Sequence, residues 1–592
     1  MTTRSSFLQV ERSVSGRRWA DRLTPAAANA ALAIAQKEGV PDLVARVLAG
    51  RGVVAGAARA FMDPSLKQLM PDPQTMTDAV DAAARLARAI ERRERIAIFG
   101  DYDVDGAASS AILARFLRHF SLDPQIYIPD RIFEGYGPNE AAMKKLAERA
   151  SLIVTVDCGA NSAGPVAAAR GAGADVVVLD HHQIGGPLPQ GAPVVNPNRA
   201  DDLSGLGHLC AAGIVFMVLV ETARQLRARK VRDLPDLLEL LDLVALATVC
   251  DVVPLVGLNR AFVVKGLIAA RKLANPGLAA LARVARIGEP LNTFHFGYLL
   301  GPRINAGGRI GDASLGARLL TLESREEALT LAGELDRLNA ERQAMEARMV
   351  EEAVAEAEAE LASSHPPAVI VTASDDWHPG IAGLIAARLK ERTRRPSFAI
   401  AFDANGKGSG SGRSIPGFDL GRLVRQAVEA GLLVKGGGHA MAAGLTVARE
   451  RLGALRAFFE DKAHAQVGEL IAREELEIDG ALTAEGGTLA LIETIEQAGP
   501  FGSGHPEPVF ALPSHRVVSA GIVGNGHVRA TLAGPMGGKL NAIAFRAGDS
   551  DLGATLMKAN GDALHVAGAL AINHWNGARA PQFRIIDAAK PA

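Results

Sequence analysis

Between residues 76 and about 260, short apolar runs alternate with helical stretches, and an acidic or imidazole group closes three of the runs. The run 96–99 leads into Asp101-Tyr102-Asp103-Val104-Asp105-Gly106, the run 152–156 into Asp157, and the run 176–179 into Asp180-His181-His182. Helices are expected at 107–120, at about 139–150 after a further run at 125–128 and the turn Gly135-Tyr136-Gly137-Pro138, and at 163–170. Strands that alternate with helices predict a parallel sheet covered on both faces. Such a sheet binds ligands beyond the carboxyl ends of its strands, which is where these acids and histidines fall. Asp251 adds a further carboxylate, at the end of a helical run through Leu246 and Val249.

A chain of 592 residues is too long for one core and divides into roughly three or four domains of ~100–200 residues. The expected organisation is an α/β chain: a mainly helical segment over 1–75, a parallel-sheet catalytic domain over 76–312, a connecting helix over 313–364, a second α/β domain over 365–458 and a β-barrel domain over 465–592. Ser324 and Glu327 form a capping box for the connecting helix. Leu331, Leu335, Leu338, Met345 and Met349 give it one apolar stripe, and Ser363 to Pro367 stop it. Short alternating segments with glycine turns suggest the barrel. A formal net charge of −1 excludes a polycation, so nucleic-acid binding must come from local patches. One lies between Arg388 and Lys435, with ten Lys/Arg against four acids. Cys158, Cys210 and Cys250 give neither a disulfide framework nor zinc spacing; a reducing, cytoplasmic setting is expected, and Cys158 and Cys250 read as small buried hydrophobes. The apolar stretch 210–220 is shorter than the ~20 residues a membrane span needs.

Three carboxylates as close as Asp101, Asp103 and Asp105 repel one another, and a bound cation turns that cost into affinity. Carboxylate oxygens suit hard divalent ions, and an imidazole shifts the preference toward Mn²⁺. His181 is the expected ligand of its pair. His182 would orient water, contact phosphate or carry a proton. Asp180 would anchor a histidine or cap a helix. Gly106 would allow a tight turn into the next helix. Gly301-Pro302-Arg303-Ile304-Asn305-Ala306-Gly307-Gly308-Arg309 reads as a glycine-rich loop whose Arg303, Asn305 and Arg309 suit phosphate capture. Segments 408–414 and 436–439 read as two further glycine-rich loops, with Trp377-His378-Pro379-Gly380 before a helix.

Taken together, these motifs resemble the DHH phosphoesterase superfamily and, within it, the RecJ family of bacterial single-stranded-DNA exonucleases. The resemblance spans about 45–590. It rests on the acidic motifs above, on Cys250-Asp251-Val252-Val253-Pro254-Leu255, on the Arg303 and His378 segments, and on Ser411-Gly412-Arg413-Ser414 and Gly436-Gly437-Gly438-His439. Pro500 to Pro508 and Trp575-Asn576-Gly577 look like the C-terminal OB-fold region. The resemblance implies a DHH domain, a DHH-associated domain and an OB-like barrel. It implies two Mn²⁺ or Mg²⁺ ions on Asp101, Asp103, Asp105, Asp157, His181 and Asp251, with Asp157 bridging. It implies catalytic roles for Asp157, His182, Arg303 and Arg309, and DNA contacts from Arg303, Asn305, Arg309, His378, Ser411, Arg413 and His439. The activity implied is 5′→3′ release of 5′-mononucleotides by a monomer in repair and recombination, with single-strand-binding protein and a helicase as partners. His505 stands where the family more often has Asn, and Gly308 where it often has Ala. Two other readings compete: a DHH hydrolase of oligoribonucleotides or cyclic dinucleotides, and a non-catalytic DNA-binding scaffold. The OB-like terminus argues against the first and the full ligand set against the second.

Overall fold

The computed structural model describes residues 5–131, 133–575 and 578–591, so Asn576 and Gly577 of the Trp575 motif lie outside the described residues. The chain forms two compact units, one from Leu66–Ile471 and one from Met1–Ser65 with Ala472–Ala592.

The first half of the larger unit is built on a five-stranded, fully parallel sheet. Its order is Gln125–Tyr127, Ile96–Gly100, Leu152–Val156, Asp175–Leu179, Val194–Val195. Ile96–Gly100 and Leu152–Val156 are buried at every position, as strands covered on both faces must be. The chain leaves Ile96–Gly100 for one neighbour and later returns to its other side at Leu152–Val156. That makes a topological switch point between these two strands, where open α/β sheets bind ligands. The register pairs Gly100 with Val156 and Val156 with Leu179. Asp101, Asp157 and Asp180 therefore stand in a row, one residue past the paired ends.

The helix after the first strand runs Val104–His119, earlier than expected, and the Asp103 side chain caps it by accepting from the Asp105 and Gly106 N–H groups. Gly106 thus lies in a helical first turn and does not make the tight turn expected of it. Its smallness serves a close approach, because a Cβ there would sit 2.4 Å from the Asp101 carbonyl oxygen. Ala211–Ala228 and Leu241–Cys250 pack into the same core, the latter ending with Asp251 as its C-cap.

The connecting helix runs Arg325–Leu361, with the Ser324 hydroxyl accepting from Glu327 N–H. Its 37 residues span about 55 Å at ~1.5 Å each. Leu331, Leu335 and Leu338 belong to the core of the first half, whereas Met349, Ala353 and Ala357 pack with Ile370, Ile385 and Leu389 of the second. One helix is thus shared by two hydrophobic cores.

The second half carries a mixed sheet ordered Lys435–Gly438, Ala442–Ala448, Lys407–Arg413, Ser397–Phe402, Ile370–Ser374. Both segments expected to be glycine-rich loops here are strands. In Lys407–Arg413, Gly408, Gly410 and Gly412 share the buried face. A Cβ on them would lie 2.7 Å from Phe402, 2.7 Å from Leu445 and 2.4 Å from Phe398. The glycines make room for large neighbours, while Ser411 and Arg413 point the other way. The segment from Gly301 is likewise no loop, since Gly301–Ile310 is helical and continues a π-helical turn, His295–Leu300.

In the smaller unit, five strands close a barrel: Phe510–Val523, His527–Ala533, Lys539–Ala544, Ala578–Ala589 and Ala563–Trp575, which pairs back with the first. The N-terminal residues join this unit and are not helical throughout. Arg18–Asp21 is a strand pairing in parallel with Glu475–Ile478, and fully buried Trp19 donates from Nε1 to Asp587 at 3.1 Å.

Candidate active site

Four distant segments deliver six donors to the switch point. The His181 Nε2 atom lies 3.2 Å from Asp157 Oδ1, 3.8 Å from Asp105 Oδ2 and 3.7 Å from Asp251 Oδ2. Donor atoms of Asp105, His181 and Asp251 lie within 4.8 Å of one another, and so do those of Asp101, Asp103 and Asp157. Asp157, His181 and His182 form a third such group. Asp157 adopts a left-handed backbone, φ 60°, a region that aspartate tolerates better than most residues with a Cβ. Asp105 is fixed by the start of the Ala211–Ala228 helix, whose Ala211 and Ala212 N–H groups donate to its oxygens at 2.7 and 2.9 Å.

The electrostatics mark a site built for cations. Burial, then the Asp103 charge, pushes Asp105 up to about 7. Burial and neighbouring carboxylates likewise hold Asp101, Asp157 and Asp251 well above the carboxylate range. Burial, then charged His182, lowers His181 to about 4, leaving the neutral imidazole a metal needs. Asp101 Oδ1 and Asp157 Oδ1 are buried without a hydrogen-bond partner. Buried, unpartnered carboxylate oxygens are costly unless they coordinate something. Five carboxylates with one imidazole fit Mn²⁺ or Mg²⁺ by donor chemistry.

His182 sits beside this cluster, its Nδ1 2.8 Å from Asp180 Oδ1 and 2.9 Å from the Tyr136 hydroxyl. Burial is the largest influence and opposes its charge, but the bond to Asp180 together with the charges of Asp180, Asp101 and Asp103 raises its pKa. Asp180 also accepts the His181, His182 and Ala160 N–H groups, and it stays below the usual carboxylate range despite burial. It is an anchor for the histidine pair.

A cationic wall faces the carboxylates. Arg309 is pushed down to about 9 by burial first and then by Arg131, Arg342 and Arg413, and it donates to the Gly380 carbonyl at 3.0 Å. Burial and then Arg131 also lower Arg413 and His378. Like charges held this close call for an anion. Ser411 and Arg413 lie on one strand face against Gly383. His439 is lowered by burial, then by His182. Asn305 Oδ1 is buried without a partner. Arg303 is not brought to this group; it pairs with Asp336 at 2.9 Å and donates to the Leu299 carbonyl. Two of the ten basic residues of the 388–435 patch are also spent elsewhere, Arg388 on Glu346 and Glu391, and Arg392 on Glu358. Two site residues escaped the sequence reading: Arg131, 5.2 Å over the Tyr102 ring, and Tyr136. Both lie between the 125–128 run and the next helix, and the Gly135-Tyr136-Gly137 turn was their only signal.

Such a sheet, with Asp and His donors at its switch point and a second α/β half across a cationic wall, defines a DHH-type phosphoesterase. The model of the DHH family N-terminal domain matches residues 95–248, the DHHA1 domain 366–465 and the RecJ OB domain 478–587. The single-stranded-DNA-specific exonuclease RecJ of Dickeya dadantii is 36% identical over 86% of this chain and 90% of its own length. Crystal structures of Thermus thermophilus RecJ superpose at 30% identity over 96% of this chain. The complex with Mn²⁺ has a TM-score of 0.78 over 79% of its length, and the complex with Mg²⁺ 0.73 over 78%. The chain belongs to the RecJ family.

Proposed function

We propose that this chain is a metal-dependent exonuclease that degrades single-stranded DNA 5′→3′ to 5′-mononucleotides, in DNA repair and recombination. One observation carries the reading: Asp101, Asp103, Asp105, Asp157, His181 and Asp251 converge at the switch point of a chain whose relatives are named single-stranded-DNA-specific exonucleases. Asp105, His181 and Asp251 would hold one Mn²⁺ or Mg²⁺ ion, and Asp101, Asp103 and Asp157 a second, with Asp157 near enough to His181 to be shared. Bound there, such ions lower the pKa of water and neutralise charge on a phosphoryl group.

The chain's own residues supply the rest. Arg309, Arg413 and Arg131 present fixed, partly desolvated positive charge to a phosphate, with Ser411, His378 and His439 alongside. His182, whose protonated form the bond to Asp180 favours, donates to a phosphoryl oxygen. Asn305, beside them, would donate from its Nδ2 amide to the bound strand. Arg303, paired with Asp336 on the connecting helix, would have to leave that partner to add its charge at the phosphate. The catalytic half corresponds to about 76–312, the connecting segment to 313–364, of which Arg325–Leu361 is the long helix, the DHH-associated half to 365–458 and the barrel to 465–592. An OB-type barrel is suited to holding single strands by phosphate contacts and stacking. No helix among the described residues is long and apolar enough to cross a membrane. We assign the protein to the cytoplasm as a monomer that takes strands from a helicase and single-strand-binding protein.

The test offers the purified chain, with Mn²⁺, 5′- or 3′-labelled single-stranded DNA, RNA dinucleotides and cyclic dinucleotides. Early release of label as a mononucleotide from 5′-labelled DNA is expected. Cleavage of dinucleotides alone would assign a different DHH hydrolase, and no cleavage at all a scaffold.

A further inference from the structure

Aromatic residues are scarce in this chain, at 4%, yet two of them stack on each other in solvent. Phe294 and Tyr298 are 52% and 71% exposed, with ring centroids 5.1 Å apart and planes 25° from parallel. They sit on the His295–Leu300 turn and just before it. This turn is π-helical, a geometry that recurs at functional sites. Its inner side is clamped beside the metal cluster. Phe296 is fully buried, its carbonyl accepts from Cys250 Sγ at 3.3 Å, and a Cβ on Gly301 would lie 2.6 Å from the same sulfur. Cys250 immediately precedes Asp251.

The turn runs without a break into Gly301–Ile310. Residues spaced by four, four, three and four along a helix share one face. Phe294, Tyr298, Pro302, Asn305 and Arg309 have this spacing. The face that carries the arginine of the cationic wall and the unpartnered Asn305 therefore ends in the exposed ring pair. Pro302 to Arg309 alone rises roughly 10 Å at ~1.5 Å per residue, and the π-helical turn sets Tyr298 further out, a reach of a few nucleotides. We propose that Phe294 and Tyr298 form a stacking platform for a base of the single strand beyond the nucleotide being cleaved. Planar π-faces accept any base, so the platform would grip the strand without reading its sequence. The inference rests on the exonuclease reading.

Tyr298→Ala, Phe294→Ala and the conservative Tyr298→Phe are compared with the unmodified chain on a 5′-phosphorylated 12-mer of single-stranded DNA and on a dinucleotide too short to reach the rings. Each alanine variant is expected to raise KM on the 12-mer roughly five- to tenfold, with a far smaller change on the dinucleotide, and Tyr298→Phe to restore the 12-mer value. In EDTA, which halts cleavage, 2-aminopurine placed a few nucleotides from the 5′ end should be quenched by the unmodified chain and not by Tyr298→Ala. Unchanged KM on the 12-mer overturns the platform, and so does an equal loss on both lengths, which would make the rings a support of the helix. A dimer of the unmodified chain that Tyr298→Ala splits would assign the rings to a second copy and overturn it too. Failure of the unmodified chain to degrade single-stranded DNA at all would instead remove the exonuclease reading.

Discussion

Asp157 concentrates the problem of this site in one residue: a buried carboxylate in a left-handed backbone, with one oxygen unpartnered and 3.2 Å from His181. Replacing it by Ala removes a donor while leaving the cationic wall intact. Cleavage in Mn²⁺ should fall below detection while affinity for single-stranded DNA, measured by anisotropy, stays within a fewfold. Asp105 makes a second, pH-dependent prediction. Its folded pKa of about 7 lies above its ordinary 3.8, so the metal-free fold favours the protonated acid. That contribution is present in full below about pH 4 and is lost as pH rises through 7. The EDTA-treated protein should therefore lose melting temperature between about pH 4 and 7 and level off above that. The Mn²⁺-loaded protein should not, so the gap between them widens with pH. The acids themselves were plain in the sequence, because like charges repeated at strand ends have few other uses. Arg131 and Tyr136 were not, because a lone arginine and a tyrosine in a turn carry no periodicity.

Elements explain where glycines were misread. Clusters of glycine look like loops in a sequence because loops use their freedom, yet here Gly408, Gly410 and Gly412 sit in a strand to make room for Phe402, Leu445 and Phe398. Gly106 is small for the same reason, so Gly106→Ala must displace Asp101, whose carbonyl oxygen would lie 2.4 Å from the new Cβ. A displacement near 1 Å at a reacting centre costs on the order of a hundredfold in rate, and a loss of that size in kcat is the expected result. Charge also divides by element. Arg392 is committed to Glu358 on the connecting helix, whereas Arg413 faces Arg131 across the cationic wall. Arg413→Gln should lower the slope of log affinity against log salt by about 1; Arg392→Gln should leave it unchanged.

At the scale of the molecule, the N-terminal residues proved to belong with the C-terminal barrel. Fully buried Trp19, bonded to Asp587, lies in a strand paired with Glu475–Ile478. Trp19→Ala should destabilise that unit by about 3–5 kcal/mol, read as a lower calorimetric transition and faster proteolysis after residue 472. Nothing in the sequence announced this pairing, since partners more than 450 residues apart share no local pattern. What the sequence determined by itself was everything periodic or chemically singular: the parallel sheet, the capped connecting helix, the barrel and the acidic and imidazole donors. Tertiary structure alone decided which arginines face the carboxylates and which are spent on glutamates, which glycines are spacers, and which terminus completes which core. Local patterns record what a segment prefers against solvent, whereas these choices depend on what stands opposite each side chain once the chain has closed on itself.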